Sequence, residues 1–291
     1  MNLTQLVFSA VLAMGALATA IPCTADETVR IASRGDANAN YAISMIKLAL
    51  KHAEKKYSLD IFDATLTGER QKQGLIEGSI DVSWTATNND MEEHTLPVRV
   101  PLYKGLLGYR VLLMNAESLS NFRHINSRQD LLSHTFGQGR GWTDTTILKA
   151  NGLTVIEANK YESLFHMVDG KRFEAFPRGV HEPWLEMKNR PELNLAVDNR
   201  VMLVYKMPFY LFVTPTRPDL AKAIEQGLLA AIDDGSFDEL FFTNDTVRTV
   251  IEKVDLSYRM VFELKNPDLP PKTPLDNTKL WITLDALKDG A

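Results

Sequence analysis

The residues most able to do chemistry in this sequence open a loop: Gly137-Gln138-Gly139-Arg140-Gly141-Trp142-Thr143-Asp144. Alternating glycines let backbone N–H groups come close to a ligand. Thr143 or Asp144 is placed to cap a helix, whose positive end favours an anionic group. Arg140 adds charge and Trp142 a flat apolar wall. No nucleotide is required: the stretch lacks the Gly-Lys-Ser/Thr of a phosphate loop, and its glycine spacing misses the dinucleotide fingerprint. A flexible turn carrying a core Trp is the plainer alternative. Three other places offer ligand chemistry: Arg34 in "SRGD", Trp84, Thr85 and Thr87 in "SWTAT", and Arg178 in "FPRG". Two of them have a plain alternative, since Trp84 alternates with Val82 as a core residue would, and Arg178 can be a surface ion pair. None of the 6 histidines forms a zinc pattern, so neither a metal nor another cofactor is expected. There is no Gly-x-Ser-x-Gly elbow and no clear acid/base pair.

These residues need elements to hold them, and the hydrophobic period supplies a repeated set. "TVRIAS" (28–33), "LDIFDAT" (59–65) and "SIDVSWTAT" (79–87) read as strands; 41–56 and 69–78 between them read as helices. The order returns with strands at 134–138, 154–159 and 171–179 and helices at 144–152 and 161–170. Regular alternation of this kind implies doubly wound α/β lobes with parallel pairing. The apolar runs 103–115 and 204–215 can each cross between the lobes. We therefore expect a first lobe of 26–105 plus 206–291 and a second lobe of 106–205. After a helical pair within 217–241, the proline-rich 266–276 reads as extended chain wrapping the first lobe. Ligands of open α/β sheets bind beyond the carboxyl ends of the strands. The four motifs all fall there, on facing sides of an interlobe cleft.

A chain of 291 residues, 45% apolar and 24% charged, suits two folded lobes of ordinary size. The net charge of −5 and the lack of a Lys/Arg cluster give no basis for nucleic-acid binding. "LVFSAVLAMGALATA" in residues 1–25 reads as a secretory signal peptide cut after Ala20 or Ala25, although Met1–Leu6 carries no Lys or Arg. A buried N-terminal helix or an uncleaved anchor is the alternative. Cys23 is the only cysteine, and Pro22 before it does not suit a lipoprotein site. Cutting after Ala25 leaves a chain without disulfides or thiol chemistry, exported to a bacterial envelope.

The ordered pieces "VRIAS", "GLIEGSIDVSWTAT", "LYKGLLGYRVLLM", "DLLSHTFGQGRGW", "YESLFHMVDGKRFEAF" and "PDLAKAIEQGLLAAIDDGSFDEL" resemble type II periplasmic solute-binding proteins of the amino-acid-binding family, solute-binding family 3, over roughly 27–245. The resemblance implies a two-lobed cleft that closes on a small solute for a membrane transporter. Two departures bear on the ligand. The family's Thr-x-Thr-x-x-Arg pattern, whose Arg clamps an α-carboxylate, is matched at Thr85 and Thr87, but Asp90 stands where the Arg is expected. The Asp that holds an α-ammonium after the second lobe's third strand is also missing, with Arg178 near that point. Arg99 or Arg178 is left to grip an acid group.

The expected protein is thus a periplasmic, monomeric binding protein for a small anionic or aromatic solute, serving an ABC-type permease. Its ligand set is Arg34, Trp84, Thr85, Thr87, Gly139, Arg140, Trp142, Thr143 and Arg178. Two rivals share the cleft: a sensor feeding a membrane kinase or cyclase, and a dehydratase-like enzyme using Asp90 or Glu182 as acid.

Overall fold

The computed structural model describes residues 26–33, 37–64, 66–254, 259–283 and 285–286. The signal-peptide reading of 1–25 lies outside the described residues. The chain opens with β1 (Glu27–Ser33), α1 (Ala37–Lys51), β2 (Tyr57–Asp63), α2 (Gly68–Glu77) and β3 (Val82–Ala86), followed by α3 (Asn89–His94) and β4 (Leu96–Val98). It then crosses to β5 (Tyr109–Asn115), α4 (Arg128–Leu132), β6 (Thr135–Gly139), α5 (Thr143–Ala150), β7 (Thr154–Ala158), α6 (Tyr161–Asp169), β8 (Phe176–Gly179), α7 (Pro183–Lys188) and β9 (Leu195–Val204). A second crossing leads back to β10 (Phe209–Val213), α8 (Pro218–Asp234), α9 (Ser236–Thr243), α10 (Asp245–Lys253) and finally β11 (Met260–Glu263).

Local chemistry sets several of these bounds. Thr67 caps α2 through the Arg70 N–H (3.3 Å), and Gly78 ends that helix in the left-handed region at φ 71°. Ser127 and Asp130 close a reciprocal capping box on α4. The first helix stops at Lys51, short of the expected 56, because Lys56 must offer its carbonyl to Glu27 N (3.0 Å) where β2 joins β1. The expected strand 171–179 shrinks to β8, since Lys171 turns the chain at φ 54° and Ala175 makes only a bridge to Phe136.

Both lobes follow one plan. In the first, β1 and β2 pair in parallel, and β10 lies antiparallel between β3 and β4. The two pieces join where Asp81 N donates to Arg30 O at 2.9 Å and the Arg30 guanidinium grips the Asp81 carboxylate. In the second, β6 and β7 pair in parallel, the Phe136–Ala175 bridge links them to β8, and β5 lies antiparallel between β8 and β9. Each lobe therefore places next to its third strand one that has just arrived through a crossing. This is the architecture expected, two α/β lobes joined by two crossings, with the crossing strands antiparallel. The first lobe's core includes Leu220, Ile224, Leu228 and Ala231 on one face of α8, packed toward α1.

The tail departs from its expected place. β11 pairs in parallel with β9 on the second lobe's sheet, so 206–291 do not all belong to the first lobe. A four-residue edge strand carries too little periodicity to reveal its partner. No helix among the described residues is long and apolar enough to cross a membrane.

The crossings touch at Gly108, whose carbonyl accepts from Tyr205 N at 3.0 Å. A Cβ on Gly108 would fall 1.8 Å from the Tyr205 carbonyl oxygen, so the two strands lie this close only because the residue is glycine. Gly108→Ala should push the crossings apart and lower stability by about 1–3 kcal/mol, read by urea unfolding. An unchanged midpoint would show that the crossings yield freely at this point.

Candidate functional site

A cleft of about 600 Å3 opens between the lobes. Asn38, Thr85, Ala86 and Phe209 line it from the first lobe, Leu107, Arg110 and Met207 from the crossing region, and Trp142, Asp144, Tyr161, Arg178, Glu182 and Glu186 from the second. A hollow of about 360 Å3 in the first lobe, lined by Trp84, Gln71 and Ser33 among others, shares Asn38 and Phe209 with it. The strand ends and helix starts thus meet where an α/β sheet presents ligands.

The glycine loop serves this cleft through its tryptophan. Gly139 ends β6 beneath the Trp142 indole, and a Cβ there would come within 2.2 Å of the ring. Thr145 Oγ1 donates to the Gly139 carbonyl at 2.7 Å and fixes the turn. Gly141, at φ 78°, then reverses the chain. Arg140 consequently points outward: its side chain is 66% exposed, and its Nε stands 3.6 Å from Glu157. Neither Thr143 nor Asp144 caps α5; the cap position is Trp142, without a side-chain cap bond, and Thr143 is the first helical residue.

Of the other expected site residues, Thr85, Trp142 and Arg178 line the cleft and Trp84 the adjoining hollow. Arg34 lies outside the described residues. Thr87 is buried, its hydroxyl donating to Glu92 at 2.9 Å and its N–H to Pro208 O at 2.9 Å, so it ties the end of β3 to the second crossing. Arg99 is engaged elsewhere in the first lobe, with Nη2 2.5 Å from Glu92. Asp90 is held by Lys72 at 2.7 Å, which lowers its pKa.

The cleft's charged groups form one alternating row. Tyr205 donates its hydroxyl to Asp144; Asp144 Oδ1 meets Arg110 Nη2 at 2.8 Å; Arg110 Nη1 stands 3.4 Å from Glu182 Oε2. Glu182 Oε1 then meets Arg178 Nη2 at 2.9 Å, and that guanidinium grips Glu186 at 2.6–3.0 Å. The Tyr161 hydroxyl closes the row on Glu186 Oε1 at 2.5 Å. The Arg178 cation also lies over the Phe176 ring at 4.8 Å and the Trp142 and Tyr161 rings at 5.6 Å. Arg178 is therefore the interior member of an ion network and not the free clamp expected of it. Two arginines face three carboxylates, so the row carries one net negative charge. Glu182, with its side chain 26% exposed, is the carboxylate most open to the cleft.

Sequence reasoning left out Arg110, Asp144, Tyr161, Glu186 and Phe209 as ligand-facing groups and named Glu182 only as an acid. A signal was present for some: Arg178, Glu182 and Glu186 recur at four-residue spacing, and Arg110 is a lone charge inside the apolar run "GYRVLLM". A charge in such a run calls for a buried partner.

Two titrations follow from this packing. Burial opposes charge on Glu182, but Arg178, His181, Arg110 and the Gly179 N–H outweigh it and hold the carboxyl at about 2, below the ordinary 4.5. Burial pushes His181 down to about 4 from 6.5; Glu182 opposes this, while Arg110 and Arg178 add to it. Both folded values lie below the unfolded ones, so the unfolded chain binds more protons and stability rises with pH. The His181 contribution is complete above about 6.5 and is lost as pH falls through 4; that of Glu182 is complete above about 4.5 and is lost toward 2. Urea-unfolding free energy should therefore already decline between pH 6.5 and 4.5, and His181→Phe should flatten that interval. A variant that keeps the full slope would place the titrating group elsewhere.

No family model matches the sequence, and no curated protein matches it. Solved structures do match. An ancestral arginine-binding protein bound to arginine aligns at TM-score 0.53 and 16% identity, covering 75% of this chain and 98% of its own. A Streptococcus mutans structure, from work on glutathione import via GshT and the cystine ABC importer TcyBC, aligns at 0.52 and 15%, covering 76% and 95%. An ancestral amino-acid-binding protein, a precursor of cyclohexadienyl dehydratase, aligns at 0.51 and 16%, covering 75% and 94%. The chain has the two-lobed type II periplasmic binding fold that its sequence resemblance implied.

Proposed function

We propose that the protein is a periplasmic solute-binding protein whose lobes close on a small amine-bearing solute with a flat or apolar body, for uptake by an ABC-type importer. The observation that carries the ligand class is the charge row: both arginines are already matched, and the excess is a carboxylate. This turns the expected anionic group into a cationic one. A protonated amine beside Glu182 would complete the balance, and the faces of Trp142 and Tyr161 add attraction for a cation. The aromatic part of the expectation is kept in this reading, supported by Trp142, Tyr161 and Phe209 as walls for an apolar body. Closure about two adjacent crossings would desolvate the solute and strengthen these contacts. The importer role is supported by the shared fold and by the importer-linked Streptococcus mutans neighbour. Binding is favoured over turnover because the two acids considered for a dehydratase, Glu182 and Asp90, are both held ionised.

A thermal-shift screen of amines, amino acids, dicarboxylates and aromatic acids tests this reading. A ligand at 100 times its Kd adds about 2.7 kcal/mol of stability, enough for a clear rise in Tm. Hits confined to acids without an amine would overturn the ligand class.

A further inference from the structure

We propose that the C-terminal segment 264–282 is a clasp that binds both crossings at once and sets how far the lobes open. A chain joined by two crossings needs no third connection, yet this segment makes one. Leaving β11 on the second lobe, Leu264 N donates to Val204 O at 2.8 Å, and Asn151 at the end of α5 exchanges bonds with Lys265 at 2.7 and 3.0 Å. Asn266 Nδ2 then takes the Lys206 carbonyl of the second crossing at 2.9 Å.

Sixteen residues later the same segment takes hold of the first crossing. Ile282 N donates to Lys104 O at 2.8 Å, and the Tyr109 hydroxyl donates to Ile282 O at 3.0 Å. Between these bonds the Trp281 indole fills the place a side chain at residue 105 would need: a Cβ on Gly105 would lie 2.6 Å from the ring. The ring is pinned by its own N–H to Pro274 O at 2.9 Å, and Lys206 Nζ of the other crossing lies 4.7 Å from its centre. Leu264, Leu280 and Ile282 are buried, so the segment is part of the packed structure. It reaches the first lobe through Lys279 and Asp233 at 2.8 Å.

Lobe rotation changes backbone angles at the crossings, and any motion there must carry or break these bonds. The clasp thus narrows the range of lobe orientations, and its loss would populate wider ones. About a quarter of this chain lies outside the alignment to solute-binding structures that are themselves almost fully covered, which leaves room for such an added device.

The test is the interlobe distance in the free full-length protein. Nitroxides at Arg70→Cys, in the first turn of α2, and Lys160→Cys, just before α6, flank the cleft; a Cys23→Ser background removes the native thiol. Pulsed electron resonance should give one narrow distance distribution for the parent. Trp281→Ala and Asn266→Ala should each broaden it and add a longer-distance population, while Lys279→Ala, which cuts the exposed pair with Asp233 on α8 and spares the bonds to the crossings, should leave it unchanged. If Trp281→Ala fails to fold by circular dichroism, Asn266→Ala alone decides by the same criterion. Distributions that superimpose on the parent would overturn the clasp, as would equal broadening by Lys279→Ala.

Discussion

Arg178→Ala is expected to destabilise the protein by about 3–5 kcal/mol, because it strands buried carboxylates. Arg178 is 7% exposed and Glu186 9% exposed at the side chain, and the guanidinium supplies three of the bonds that satisfy Glu186. Glu182 loses its 2.9 Å partner in the same step. Water cannot readily replace these donors at such burial, so one carboxylate must take up a proton or drag solvent inward. Urea unfolding at neutral pH measures the loss. The paired change Arg178→Met with Glu186→Leu removes both charges and should recover much of it, which separates stranded charge from lost packing. A single variant within about 1 kcal/mol of the parent would mean that the network carries little of the fold's stability.

Glu182→Gln has the second large effect, on binding. The substitution keeps size and one accepting oxygen, replaces the other by an N–H donor, and brings the row from three carboxylates against two arginines to two against two. An amine-bearing ligand then meets a neutral row in place of a negative one. Removing one member of a desolvated charge pair costs about 2–5 kcal/mol, so affinity should fall at least about thirtyfold. Affinity for a matched acid should rise in the same variant, a change of sign that general loss of structure does not produce. Equal weakening of both would assign Glu182 a purely structural part in holding Arg178 and the Gly179 N–H.

The fold was largely legible because its signals are local. Strand–helix alternation and two apolar crossing runs are written in short windows. So is the placing of Trp142 and Thr85 at the cleft, since strand ends follow from the strands. What escaped depends on direction and distance. Arg140 lies beside Trp142 in sequence, but Gly141 turns the chain so that one faces the cleft and the other Glu157. The cleft's charge sign depends on Glu186, carried by α7, a six-residue helix that the hydrophobic period does not mark. Arg178 looked free because its partners are recognised only once that helix folds back over β8. The tail's route was illegible for a similar reason: Asn266 acts on the Lys206 carbonyl and the Trp281 ring on the space beside Gly105, both far away in sequence, and no residue type announces such a partner.

The central claim is that this cleft recognises a solute through its amine. Calorimetric titration of the best hit from the screen against its des-amino analogue, alike in every other atom, tests it most directly. The account predicts that the parent compound binds and that the analogue loses about 2 kcal/mol or more, close to thirtyfold in Kd, with the loss absent in Glu182→Gln. Equal affinity of the two compounds for the native protein would contradict it.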